Sequence, residues 1–229
     1  MAFTDRQEAG RKLAEQLLRF KDHHPIILAL PRGGVPVGCE IAHALTAPLD
    51  LVLVRKLGAP DQPELAIGAI ALGAVPEIVT DPELIAALGV SATELEAIEM
   101  RALRELHRRA GLYRGDRPPA SVAGRTAILV DDGIATGATV RAALRATRAQ
   151  KPARLVLAVP VAPPETLAAL VGEADEIVCL ERPRWFTAVG QFYRHFPQLE
   201  DREVLELLEK ARTPDGGAAP HDVTDSERS

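Results

Sequence analysis

Two adjacent carboxylates, Asp131 and Asp132, follow the apolar run AILV at 127–130 and precede the small-residue run GIATGAT at 133–139. That order describes a buried strand, an acidic turn and a loop that opens a helix. In a parallel α/β sheet, ligands bind in the crevice beyond the carboxyl ends of the strands, where this pair would stand. Ala135, Thr136, Gly137, Ala138 and Thr139 offer unobstructed backbone N–H groups, hydroxyls and a helix N-terminus, a combination that suits a phosphate. Carboxylates beside an anion seat repel a bare phosphate, whereas a sugar phosphate brings hydroxyls that donate to Asp131 and Asp132. A ribose 5-phosphate satisfies both halves. A bare Asp-Asp-Gly is most often a solvated turn with aspartate capping, so the reading rests on the whole segment.

Two further groups could meet an anion. Pro31, Arg32, Gly33 and Gly34 form a turn after the apolar run PIILAL, and a second apolar run, DLVLV at 50–54, closes on the basic pair Arg55 and Lys56. A basic pair at a strand end is usually just solvated; its place beside the PRGG turn is what singles it out. Other chemistries drop out. The glycines of GGVPVG are wrongly spaced for a dinucleotide fingerprint, and the chain has no GxxxxGK[ST], GxSxG or HExxH.

These residues need elements to hold them. Thr4 with Gln7 reads as a capping box for a first helix whose apolar face carries Leu13, Leu17, Leu18 and Phe20. PIILAL, a helix over 35–45 and DLVLV then make a βαβ unit with strands buried on both faces. The proline-rich stretch LGAPDQPE at 57–64 predicts a mobile loop. Residues 67–71 and 75–80 predict two short strands, read as a hairpin, after which Asp81 and Pro82 start a helix. Ser91 with Glu94 caps a long amphipathic helix in which Glu105 precedes Arg109 by four residues. We treat 78–115 as a helical insertion and 115–124 as a connector. TAILV, a helix over 139–149, RLVLAVP, a helix over 164–171 and DEIVCL continue the alternation, which predicts an α/β fold with a mostly parallel sheet flanked by helices. Beyond Leu180 the pattern changes, and the chain ends in a helix over 201–212 and a polar tail, 213–229, expected to be disordered.

The chain has 229 residues, 47% of them hydrophobic and 26% charged. At roughly 150 residues per domain this is one large domain, 1–212, rather than two. A formal net charge of −5 gives no general attraction to nucleic acid or to an anionic membrane. No uncharged apolar run is long enough to span a bilayer, and Cys39 and Cys179 stand alone in apolar stretches, so a cytoplasmic protein with two buried thiols is expected.

The segment 127–139 resembles the binding motif for 5-phosphoribosyl-1-pyrophosphate (PRPP) of the type I phosphoribosyltransferases: four apolar residues, two acidic ones, then small and Thr/Gly residues. The resemblance covers roughly 20–75 and 124–182 and implies the type I phosphoribosyltransferase fold, with the segment after Leu180 as a C-terminal hood. It implies that Asp131 and Asp132 hold the ribose 2- and 3-hydroxyls, that residues 135–139 hold the 5-phosphate, and that Arg32, Gly33 and Gly34 form the pyrophosphate loop. Arg55 and Lys56 would close over the pyrophosphate, with the 57–64 loop as a lid. Members using 6-oxopurines carry an aspartate where this chain has Ala135, which argues against hypoxanthine and guanine. The family's hood supplies the base pocket, making Trp185 and Phe186, with Phe192 and Tyr193, candidates to stack on a flat ring, although core packing is the commoner role for such residues. Arg182, Arg184, Arg194, His195, His23 and His24 read as surface or structural.

The implied reaction is Mg²⁺-dependent transfer of the phosphoribosyl group from PRPP to a nitrogenous base with release of pyrophosphate. Asp131, Asp132, Arg32 and Lys56 would be its catalytic residues, and Mg²⁺ would be held through PRPP and waters, with Asp131 and Asp132 as candidate ligands. The family's habit of association admits a homodimer. Two alternatives stand beside this reading: a non-catalytic regulatory protein that binds PRPP or a nucleotide on the same fold, and a hydrolase that passes the sugar to water.

Overall fold

A computed structural model of the chain describes residues 3–63, 65–72, 76–115 and 117–212. Five strands form a parallel sheet: β1 (Pro25–Ala29), β2 (Leu49–Leu51), β6 (Thr126–Val130), β7 (Arg154–Val161) and β8 (Glu176–Glu181), in the order β2-β1-β6-β7-β8. Every residue of β1 and β6 is buried, as continuous apolar strands covered on both faces must be. On one face Ile27, Ile128, Val130 and Val156 pack against α1 (Arg6–Leu17) and α2 (Gly34–Leu45). On the other, Ile26, Leu28, Leu129 and Leu157 meet Val140 and Leu144 of α5 (Ala138–Arg148) and Leu167 of α6 (Pro164–Ala169). The mostly parallel, helix-flanked sheet expected from the alternation is therefore present.

The strand order sets the site. From β1 the chain crosses to β2 on one side, while β6 leads through α5 to β7 on the other. The loops that follow β1 and β6 thus part from one another, and an open α/β sheet binds its ligands in the crevice this leaves. Those two loops carry PRGG and the acidic segment.

DLVLV is not one strand. β2 stops at Leu51, and β3 (Leu53–Gly58) turns into a separate antiparallel sheet with β4 (Ala66–Leu72) and β5 (Glu77–Thr80). Ala69 and Ala71 pack on Ala142 and Ala146 of α5, while Leu53 and Leu57 pack against Ala102, Leu106 and Tyr113 of α4 (Ala92–Arg114). Two different partners for two faces explain the departure: the second sheet is the layer between α5 and α4. The helical part of the insertion accordingly starts after β5, with α3 (Pro82–Ala87) and then α4. Asp81 caps α3 and the Ser91–Glu94 capping box caps α4, as the sequence predicts.

Three local expectations change. The first helix is capped by Asp5, whose carboxylate accepts from Glu8 N at 2.8 Å, rather than by Thr4 with Gln7, and Leu18 is 51% exposed because a 3-10 turn (Leu18–Phe20) rotates it off the core face. Of the predicted 57–64 loop, Leu57 and Gly58 belong to β3 and Glu64 lies outside the described residues, while Ala59, which is buried, donates its N–H to Leu65 O at 2.9 Å. Cys39 and Cys179 are free thiols but only half-buried. The tail, 213–229, lies outside the described residues. No helix among them is long and apolar enough to cross a membrane.

Asp50 ties α4 to the main sheet. One carboxylate oxygen accepts from Leu51 N and from Arg114 Nε, at 2.7 and 3.1 Å, and the other accepts from Ala120 N at 2.7 Å. The Asp50 and Arg114 side chains are each 11% exposed. Asp50→Ala would leave a nearly buried guanidinium and two backbone N–H groups without this acceptor, and we expect a loss of about 3 kcal/mol in unfolding free energy by urea titration.

Candidate ligand site at the sheet switch point

The acidic pair begins where β6 ends, and the PRGG turn is packed directly on it. A Cβ at Gly34 would lie 2.6 Å from the Val130 carbonyl oxygen, and one at Gly33 would lie 2.0 Å from Asp132 Oδ2. Glycine at both positions lets the two loops touch. Leu30 N donates to Val130 O at 2.9 Å and Gly34 N to Leu30 O at 3.0 Å, and the peptide linking Pro31 to Arg32 is cis.

Each carboxylate has one oxygen committed within the protein. Asp131 Oδ1 accepts from Asp132 N at 2.9 Å, and Asp132 Oδ2 accepts from Arg6 Nε at 2.7 Å. Among the described residues no backbone or basic side-chain donor serves the other oxygen of either; the two carboxyl groups are hydrogen-bonded to one another, a contact that the hydroxyls of a vicinal diol could replace. Burial, and next the charge of Asp132, hold the Asp131 carboxyl well above the usual aspartate range. Burial also raises Asp132, with the Arg6 guanidinium opposing it.

The segment expected to receive an anion follows. Ile134 N donates to Val161 O at 2.9 Å and Thr166 Oγ1 to Ala135 O at 2.6 Å, which pins the loop to β7 and α6. Gly137, at φ 80°, turns the chain into α5 through the left-handed region that glycine favours. No side chain caps α5 and no acidic residue stands in its first turn, so its leading N–H groups remain available to an anion. Ala135 and Thr136 are exposed, while Ala138 and Thr139 are half-buried.

The remaining predicted residues are dispersed. Arg32, in the PRGG turn, points Nη1 to within 3.9 Å of Asp201 Oδ1 at the start of α7 (Asp201–Arg212). Asp201 also accepts from Tyr113 Oη of α4. Arg55 and Lys56 lie inside β3 rather than at a strand end, and with Arg101 of α4 they line a cavity of 190 Å³ beside the 59–63 loop. In the hood, Trp185 is 90% exposed and Phe186 stacks on Phe192 at 5.4 Å.

Sequence reasoning missed two contacts that hold the acidic pair. One is Arg6; the other is the Tyr193 hydroxyl, which donates to the Asp132 carbonyl at 2.6 Å. Tyr193 is buried, and its ring packs on Phe3 and Phe196. An arginine at the first position of a helix, where the helix dipole disfavours a cation, was the one visible signal for Arg6. The hood is itself held by the N-terminal segment: Phe3 N donates to Phe192 O and Arg194 N to Phe3 O, both at 3.0 Å.

The phosphoribosyl transferase domain family matches residues 3–196. Two proteins, from two strains of Mycobacterium tuberculosis and each named "Putative phosphoribosyl transferase", are 47% identical over 209 residues, which is 91% of this chain. The chain spans 47% of the length of those relatives, about half. The crystal structure of TT1426 from Thermus thermophilus superposes with a TM-score of 0.78 at 43% identity, covering 92% of this chain and 99% of that one. The acidic segment that suggested the resemblance thus sits in a match that runs through both sheets and into the hood, and the chain belongs to the phosphoribosyl transferase domain family.

Proposed function

We propose that the chain moves the 5-phosphoribosyl group of PRPP to a nitrogenous base and releases pyrophosphate, in an Mg²⁺-dependent reaction. The observation that carries this reading is the Asp131–Asp132 carboxyl pair, whose second oxygens meet only one another among the described residues, next to the uncapped N-terminus of α5. The oxygens accept the ribose 2- and 3-hydroxyls, and residues 135–139 take the 5-phosphate.

Breaking the bond from C1 to pyrophosphate ahead of attack makes the sugar oxocarbenium-like and loads negative charge on the leaving group. Arg32, Arg55 and Lys56 are the cations offered to that charge, with the backbone N–H groups of Gly33 and Gly34. Arg32 would leave Asp201, a contact of 3.9 Å that is weak and partly exposed. Asp131 and Asp132 fix the ribose and offset its developing positive charge. Trp185 and Phe186 are the rings available to the base. The same reading makes the chain a homodimeric enzyme of nucleotide metabolism in the cytoplasm.

Among the described residues no group of three or more His, Cys, Asp or Glu could cage a metal. This donor set fits Mg²⁺ all the same, because Mg²⁺ keeps several waters and needs only one or two carboxylates beside substrate phosphates. Asp131 and Asp132 would hold it through their second oxygens or through water, and bound there it would neutralise charge on the pyrophosphate.

The test is pyrophosphate release from PRPP and Mg²⁺, with adenine, orotate and uracil supplied one at a time. Release that requires one of the bases and yields its nucleotide is the expected outcome. Release at the same rate without any base would replace transfer by hydrolysis, and PRPP binding with no turnover would leave a regulatory protein.

A further inference from the structure

Asp132 is gripped at both ends by a cluster that is remote in sequence. Arg6 Nε donates to its carboxylate at 2.7 Å, and Arg6 Nη1 donates to the Pro197 carbonyl at 2.8 Å. The same guanidinium lies 3.7 Å from the centroid of the Phe196 ring, Phe196 stacks on Tyr193 at 4.8 Å, and the Tyr193 hydroxyl returns to the Asp132 carbonyl at 2.6 Å. The Arg6 and Asp132 side chains are only 9% and 13% exposed. The circuit therefore joins the first turn of α1, the hood and the end of β6.

We infer that Arg6 is a positioning residue for the phosphoribosyl donor: by occupying Oδ2 of Asp132 it fixes the carboxylate with Oδ1 turned to the ligand, and so sets the acceptor for one sugar hydroxyl. This inference rests on the function proposed above. A carboxylate free to rotate offers either oxygen in many directions, whereas a planar fork held at three points, by a carboxylate, a carbonyl and a ring face, allows one arrangement. Gly33 closes the remaining side, since a Cβ there would come within 2.8 Å of Oδ1 and 2.0 Å of Oδ2. Arg6 does not itself reach the donor in this scheme; it acts through Asp132. A lysine could keep the charge but could not serve Asp132, Pro197 and Phe196 together.

The inference makes a distinction between two ligands. PRPP needs the ribose acceptor, while inorganic pyrophosphate needs only the PRGG side of the crevice. Calorimetric titrations of both, each with Mg²⁺, into the wild type, Arg6→Gln and Arg6→Lys should separate a positioning role from a general one. We expect the Kd for PRPP to rise at least about tenfold in Arg6→Gln and by less in Arg6→Lys, with the Kd for pyrophosphate unchanged in both. Should Arg6→Gln fail to fold, as judged by circular dichroism, Arg6→Lys alone decides. Unchanged PRPP binding in a folded variant, or an equal loss for both ligands, would overturn the inference while leaving the proposed function intact. A wild type that does not bind PRPP would overturn the proposed function, and this inference with it.

Discussion

Asp131→Asn/Asp132→Asn is expected to lose saturable PRPP binding, with the Kd raised at least about 100-fold in a calorimetric titration with Mg²⁺, because two hydrogen bonds to charged acceptors are each worth about 1.5–3 kcal/mol. Loss of function should not track loss of fold. Burial and the neighbouring carboxylate hold the Asp131 carboxyl well above its ordinary range, so ionising it costs the folded protein stability. A group with a raised folded pKa weakens the fold as pH rises from the ordinary aspartate value through the raised one. Asp131→Asn alone should therefore retain or raise the thermal midpoint while weakening PRPP binding. Asp132→Asn should cost stability, since it leaves the nearly buried Arg6 guanidinium with a neutral partner. Wild-type PRPP affinity in the double variant would remove the acidic pair from the ligand site.

The second large effect concerns the two glycines, which touch the acidic segment in different ways. At Gly34 an added Cβ would meet backbone, with Val130 O at 2.6 Å and Asp131 Cα at 3.0 Å, and backbone at the end of a buried central strand cannot retreat. Gly34→Ala should therefore cost about 3 kcal/mol of stability, read as a lower midpoint in urea. At Gly33 the obstacle is the Asp132 carboxylate, 2.0 Å from the new carbon. A side chain can swing away, but only by giving up its bond to Arg6. Gly33→Ala should consequently keep more of its stability and lose PRPP affinity instead. The reverse ranking would mean that the two turns do not meet as described.

The contrast between these glycines shows where sequence reading stops. That a glycine pair follows β1 was legible, and so was its use as an anion loop by resemblance. Which glycine faces a backbone and which a carboxylate depends on how β1 and β6 sit side by side, with Leu28 opposite Leu129 and Ala29 opposite Val130. Register between strands about a hundred residues apart leaves no trace in the local pattern of either.

By itself the sequence determined the parallel α/β core, the strand-to-helix segment that carries Asp131 and Asp132, the family, and the caps of α3 and α4. All of these are local: a continuous apolar run, an acidic turn and a capping box involve neighbours in the chain, and their physics acts over a few residues. The tertiary structure alone decided that DLVLV divides between two sheets, that Arg55 and Lys56 stand beside Arg101, that Arg32 faces Asp201, and that Arg6 and Tyr193 hold Asp132. Those are long-range pairings. A buried carboxylate must find a donor, but its charge and hydrogen-bonding needs can be met by any segment that the packing brings near. For Asp132 the packing brought an arginine 126 positions away in the chain.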